Sequence, residues 1–221
     1  FFLFFSSHDI HVPRMPHERF HGQTELGFRG DAIVQLDWCV GELLNSLDRL
    51  GIASRTLIVF CSDNGPVLDD GYQDGAITRL GNHRPGGDLR GGKYSIYEGG
   101  TRTPFITCWP GKIRPGVSDQ VVCTVDLAAS AAALTDQALA AEACPDSFNV
   151  LPALLGQPNA VGRDHLVQQP NQGPTLALRM GDWKLLAFAN DKPLKGLTFE
   201  KGPGQYELYN LADDPSERNN L

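Results

Sequence analysis

Thr56-Leu-Ile-Val-Phe-Cys61 is a block of apolar and β-branched residues that stops abruptly at polar Ser62-Asp63-Asn64-Gly65-Pro66. A short apolar run bounded by turn residues is the mark of a buried strand opening into a loop. Upstream, Phe1-Phe-Leu-Phe-Phe5 has the same form and passes at once into Ser6, Ser7 and His8, so it reads as a second strand, buried on both faces. Between the two blocks, Asp31 opens a helix. Ile33, Leu36, Val40, Leu43, Leu44, Leu47 and Leu50 recur at helical spacing up to Gly51, a natural stop, while Gln35, Asp37, Glu42, Asn45 and Asp48 fill the other face. Strand, helix, strand is a βαβ unit. It predicts an α/β fold whose sheet is mainly parallel and flanked by helices.

Downstream, Pro66 to Thr103 shows no sustained periodicity and many glycines, the pattern of a long functional connection. Phe105 to Trp109 reads as a further strand, and Asp126 is placed to cap an Ala-rich helix running to Leu134. Thr175–Met180 and Trp183–Ala189 flank a Gly181-Asp182 turn, which predicts an antiparallel hairpin, and Tyr206–Leu211 supplies another strand. The division expected is therefore a larger α/β part over 1–144 and a smaller antiparallel α+β subdomain over 145–221.

Composition narrows the function classes. The 221 residues carry a net charge of −7 and a pI near 5.3, with no basic run. Such a chain is not built to bind a phosphate backbone, so no nucleic-acid partner is expected. No apolar stretch is long enough to span a membrane, and neither a basic leader nor a small-residue cleavage site is visible. Cys39, Cys61, Cys108, Cys123 and Cys144 are odd in number and widely spaced. They match neither a zinc site nor a disulfide framework and leave the redox compartment undecided. With 24 Gly and 15 Pro, the chain is loop-rich. It starts at Phe1, without Met, inside an expected strand, as if cut from something longer.

Loops beyond the carboxyl ends of parallel strands gather on one rim, where ligands bind. Asp63 and Asn64 follow one such strand and offer a carboxylate and an amide oxygen, hard donors suited to Ca²⁺ or Mg²⁺. Asn-Gly is also the commonest turn dipeptide, so a plain turn is the competing reading. His8 and His11 follow the other strand and can hold an anion, hand a proton to a leaving group, or ligate a metal. His17, His21, His83 and His165 read as ordinary loop histidines. Arg90-Gly-Gly-Lys93 and Tyr97-Glu-Gly-Gly100-Thr-Arg102 place cations on a backbone thinned of side chains, open to close approach by an oxyanion or simply a flexible connector.

Taken in order, Phe1 to Pro13, Ser62-Asp-Asn-Gly-Pro66, Arg90-Gly-Gly-Lys93, Tyr97-Glu-Gly-Gly100-Thr-Arg102 and Trp109-Pro-Gly111 resemble the sulfatase family of the alkaline-phosphatase-like superfamily. The closing Leu208-Tyr-Asn-Leu-Ala-Asp-Asp-Pro215 is similar to the C-terminal subdomain of the same enzymes. The resemblance implies a sulfuric ester hydrolase in which Asp63 and Asn64 ligate one divalent cation, usually Ca²⁺. Lys93 would contact the sulfate and the bridging oxygen, His11 would donate to that oxygen, and His8 would sit near the substrate. The His8 segment and Asp69-Asp-Gly-Tyr-Gln-Asp74 look most like bacterial secreted sulfatases acting on carbohydrates or aryl esters, which implies a periplasmic or extracellular setting. The family attacks with a formylglycine made within a Cys/Ser-x-Pro-x-Arg signature, and none of the five cysteines has that context. The nucleophile and the first pair of metal-binding Asp residues are therefore expected upstream of Phe1, a further segment is expected after Leu221, and the 221 residues alone are expected to be inactive. Two other readings stand beside this one: a phosphoester or phosphonate hydrolase of the same superfamily, and a non-catalytic carbohydrate-binding or structural remnant.

Overall fold

The structure is a computed structural model and describes residues 1–140, 142–171, 175–188 and 206–221. The chain divides into two units, Phe1–Thr56 with Pro66–Gly87, and Leu57–Gly65 with Asp88–Leu221. The point between 144 and 145 falls inside the second.

In the first unit, helix α1 runs Phe28–Arg49. It begins three residues before Asp31, whose buried carboxylate accepts the N–H groups of Gly22 at 2.9 Å and Thr24 at 3.0 Å and so ties the preceding loop to the first turn. Gly51 ends the helix at φ 65°, the left-handed conformation its sequence position predicts. Only Arg29, Gly30, Asp31 and Ala32 are fully buried, and Ile33, Trp38, Leu44 and Leu50 are exposed. The expected apolar stripe is thus real in sequence but uncovered along much of its length.

Phe1–Phe5 forms no strand, and its side chains lie open, Phe1 at 88% exposure and Phe4 at 80%. This corrects the buried-strand reading. Five apolar residues become a strand only when a neighbouring strand takes their backbone hydrogen bonds, and no strand among the described residues pairs with them.

The second unit holds, in chain order, β1 Ile58–Cys61, α2 Glu98–Thr101, β2 Phe105–Cys108, α3 Leu127–Leu134, α4 Leu151–Leu154, β3 His165–Gln168, β4 Leu176–Met180, β5 Trp183–Ala187 and β6 Tyr206–Asn210. β1 pairs antiparallel with β2, Ile58 opposite Cys108 and Cys61 opposite Phe105. The remaining strands form an antiparallel sheet in the order β3-β4-β5-β6. Both sheets among the described residues are therefore antiparallel, which corrects the mainly parallel expectation. Phe1–Phe5 is the parallel partner that the sequence predicts for β1, and that segment is not a strand. The hairpin about Gly181 and the strand from Tyr206 form as predicted, while Ala189, the expected end of β5, lies outside the described residues.

Two apolar clusters hold the second unit. Val150, Ala153 and Leu154 pack with Phe105, Val122, Leu127 and Ala160. Ile96, Tyr97, Ala177, Leu186, Tyr209 and Leu211 form the other, on the buried face of the β3–β6 sheet. That face also carries fully buried Lys184 and Glu207, whereas Leu176, Leu178, Met180, Trp183 and Leu185 point outward. The alternation of a strand is intact, but the charges are on the inner side. Asp126 precedes α3 without capping it. Its carboxylate instead accepts the N–H groups of Cys123 and Phe148, each at 2.9 Å, and the Arg163 guanidinium at 2.8 Å.

Candidate active site

The Asp63 and Lys93 loops belong to the second unit and line one open cleft of about 1670 Å³, with Ser62, Asn64, Tyr94 and Ser95 beside them. β1 delivers the first loop. Ser62 N–H donates to Pro104 O at 3.3 Å, and the Ser62 hydroxyl to Asn64 O at 3.0 Å. Asn64 donates its side-chain N–H to Gly65 O at 2.8 Å, which turns the amide so that its Oδ1 remains an acceptor. Among the described residues the exposed Asp63 carboxylate makes no hydrogen bond or ion pair. Two adjacent hard oxygens are thus available at the cleft. Cys61, next to them, is held as a thiol: desolvation first, then the Asp63 charge, push its pKa up.

Glycine fixes how closely this loop approaches its neighbour. Gly65 N–H donates to Gly100 O at 2.9 Å, and a Cβ at Gly65 would fall 1.8 Å from Gly99 O. The Lys93 loop meets the same stretch, with Gly99 N–H on Arg90 O at 2.7 Å, and a Cβ at Gly100 would fall 2.4 Å from Gly92 O. Gly65, Gly99 and Gly100 therefore serve close backbone-to-backbone packing, while a Cβ at Gly91, at φ 82°, would fall 2.4 Å from the Ser95 hydroxyl. Half-buried Lys93 sits between them, its Nζ 5.1 Å from the Tyr94 ring centre.

His8 and His11 belong to the first unit, both exposed, with ring centres 6.0 Å apart. Their turn is closed by His11 N–H on His8 O at 3.2 Å and contains Ile10 at φ 64°, a strained value for a β-branched residue. His11 Nδ1 lies 2.7 Å from Val12 O. A carbonyl only accepts, so Nδ1 carries the hydrogen and any proton offered outward must be on Nε2 of the imidazolium. The turn's anchor was not anticipated. Buried Arg14 donates to Ile10 O at 3.2 Å, Val67 O at 2.9 Å and Leu68 O at 3.1 Å, and pairs with Asp74 at 2.7 Å. Nothing in Val12-Pro-Arg14 as a sequence distinguishes it from a surface arginine.

A second unanticipated group lies behind the Lys93 loop. Glu98, Lys184 and Glu217 are each at or below 1% exposure. Lys184 Nζ sits 3.0 Å from Glu98 Oε1 and 2.9 Å from Glu217 Oε1, and Glu98 N–H donates to the other Glu217 oxygen. Beside them Tyr97 and Tyr209 both donate to Glu207, at 2.8 and 2.7 Å. Burial and the Glu207 carboxylate push Tyr209 up to about 12 and Tyr97 higher still, so both remain hydroxyl donors. Arg90 stacks its guanidinium 3.6 Å from the Tyr97 ring centre.

Comparison with known proteins agrees with this layout. The chain is 48% identical along its whole length to the N-acetylgalactosamine-6-O-sulfatase of Bacteroides thetaiotaomicron, covering 43% of that protein. It is 31% identical, again over its whole length, to human arylsulfatase A, covering 44%. A solved Bacteroides thetaiotaomicron sulfatase, studied for glycosaminoglycan metabolism, superposes with a TM-score of 0.89 at 47% identity, over 97% of this chain and 45% of that one. These are sulfuric ester hydrolases of alkaline-phosphatase-like fold. The Sulfatase family model matches residues 1–137, and the chain belongs to the sulfatase family. It spans less than half the length of these relatives.

The family implies a metal, and the donors can be tested against it. Among the described residues no three or more His, Cys, Asp or Glu side chains gather as a metal cluster. Asp63 and Asn64 fit as part of a hard-cation set, since a calcium ion takes about six to eight oxygens and these supply two. No helix of the described residues is long and apolar enough to cross a membrane.

Proposed function

We propose that the protein carrying this chain hydrolyses sulfate esters of carbohydrates or aryl alcohols, as a periplasmic or extracellular enzyme, with a divalent cation, Ca²⁺ in the first instance. The bound cation would neutralise charge on the sulfuryl oxygens. Asp63 and Asn64 would hold it. Lys93 would place its ammonium against the sulfate and the bridging oxygen, where negative charge grows as the S–O bond breaks. His11, as imidazolium, would deliver its Nε2 proton to the departing alcohol oxygen, and His8 would contact the substrate. The attacking formylglycine would come from outside these 221 residues. In this reading 1–144 is the C-terminal half of the catalytic domain and 145–221 its antiparallel subdomain. The relatives' names favour sulfate over phosphate or phosphonate esters, and an amino-sugar 6-sulfate is the first substrate to try.

The observation that carries the proposal is the cleft shared by Asp63, unpaired among the described residues, amide-oriented Asn64 and Lys93. Calorimetric titration of the chain with CaCl₂ tests it. Heat of binding lost in Asp63→Asn is the expected result, and an Asp63→Asn titration matching the parent would overturn the assignment.

A further inference from the structure

The Asp63 loop and the Lys93 loop share one support. Both hydrogen-bond to one two-residue stretch, Gly99-Gly100 in α2: Gly65 N–H reaches Gly100 O, and Gly99 N–H reaches Arg90 O. The spacing between the two loops is therefore set by where α2 stands. α2 has only four residues, too few to hold itself. Buried Tyr97 precedes it and donates to Glu207, and its anchor is its first residue, Glu98. Its carboxylate is ion-paired to Lys184 of β5, 86 residues away in sequence, and its backbone N–H is taken by Glu217, 119 residues away. All three side chains are withdrawn from water.

We propose that Glu98 is a positioning residue, and that the buried Glu98–Lys184–Glu217 cluster clamps α2 to the C-terminal sheet and so sets the distance between the cation loop and the lysine loop. This rests on the reading of Asp63, Asn64 and Lys93 given above. A buried ion cluster is a poor source of stability compared with apolar packing of the same volume, yet breaking it is costly. Its use here is register: an ammonium between two carboxylates accepts one arrangement of three elements, whereas an apolar contact would tolerate sliding. The same logic explains why charges occupy the inner face of a sheet whose outer face carries leucines.

The test is amide hydrogen exchange on the chain and its Glu98→Gln and Lys184→Gln variants, with CaCl₂ titration of each. Glu98→Gln keeps the shape and serves if Lys184→Gln fails to fold. The clamp predicts exchange at the Gly65 and Gly99 amides faster by about tenfold or more, the β1–β2 amides unchanged, and weaker Ca²⁺ binding in step. Unchanged Gly65 and Gly99 exchange, or exchange raised equally throughout the second unit, overturns the clamp. If the parent chain binds no Ca²⁺ while the local exchange pattern appears, the cation assignment is what fails and the clamp stands.

Discussion

The turn carrying His8 and His11 and the loop carrying Asp63 read alike in sequence, as polar residues after apolar blocks, yet the turn is held differently from the Asp63 loop and the Lys93 loop beside it. The histidine turn is exposed and is held by side chains: the Arg14 guanidinium collects three carbonyls and a carboxylate, and Gln35 of α1 donates its amide N–H to Asp9. The other loops are held by backbone against backbone, through glycines that leave no room for a Cβ, and by charges buried behind them. The first arrangement fixes a turn through side chains. The second fixes two loops relative to each other, which a cation site shared with a lysine requires.

The sharpest way to break this contrast is Gly65→Ala. Its Cβ would fall 1.8 Å from Gly99 O, a backbone atom that cannot rotate away, so a loss of about 5 kcal/mol or more in urea unfolding is expected. Gly116→Ala, with open space around it, should leave the unfolding midpoint unchanged. In the first unit, Arg14→Ala strands half-buried Asp74 and should cost about 3 kcal/mol by the same measurement. Arg14→Lys should fail to restore it, because one ammonium cannot reach four acceptors spread around a planar fork. Lys93→Ala should lower kcat/KM for sulfate release in the protein carrying this chain by about 100-fold; unchanged turnover removes Lys93 from the mechanism.

The smallest effect separates two of the second unit's buried acids by pH. Burial favours protonated Asp126, but Arg163 and the Phe148 and Cys123 N–H groups outweigh it and hold the carboxyl below its ordinary 3.8. Its contribution to stability is present above that value and lost as pH falls through the lowered one. Burial instead pushes Glu217 above its ordinary 4.5, despite Lys184. Its contribution is complete below 4.5 and declines as pH rises through the raised value. Unfolding measured from about pH 7 to about pH 3 should show Asp126→Asn closing on the parent at the acid end. Glu217→Gln should gain on the parent towards neutrality, and parallel curves for either variant would contradict the sign.

Local signals in the sequence were sound where a few neighbouring residues decide the outcome. Gly51 ends α1, Ile58–Cys61 opens into Asp63, and Gly181 turns β4 into β5. Strand direction was not legible, because it depends on the partner, and Phe1–Phe5 has the composition of a strand without its hydrogen-bonding neighbour. Nor were the anchors. Glu98, Lys184 and Glu217 look like surface charges until a contact across 86 and 119 residues removes them from water. Asp63, Asn64 and Lys93 could be named because their spacing matches a family motif, while Arg14 has no local pattern to mark it.

The Asp63 loop and Lys93 are proposed to form one cation and sulfate site. A crystal structure of the protein carrying this chain, grown with CaCl₂ and inorganic sulfate, tests it most directly. The predicted result is a cation at about 2.3 to 2.6 Å from Asp63 and from Asn64 Oδ1, with Lys93 Nζ against the sulfate. A cation bound elsewhere, with the Asp63 carboxylate left in water and Lys93 turned from the anion, would contradict it.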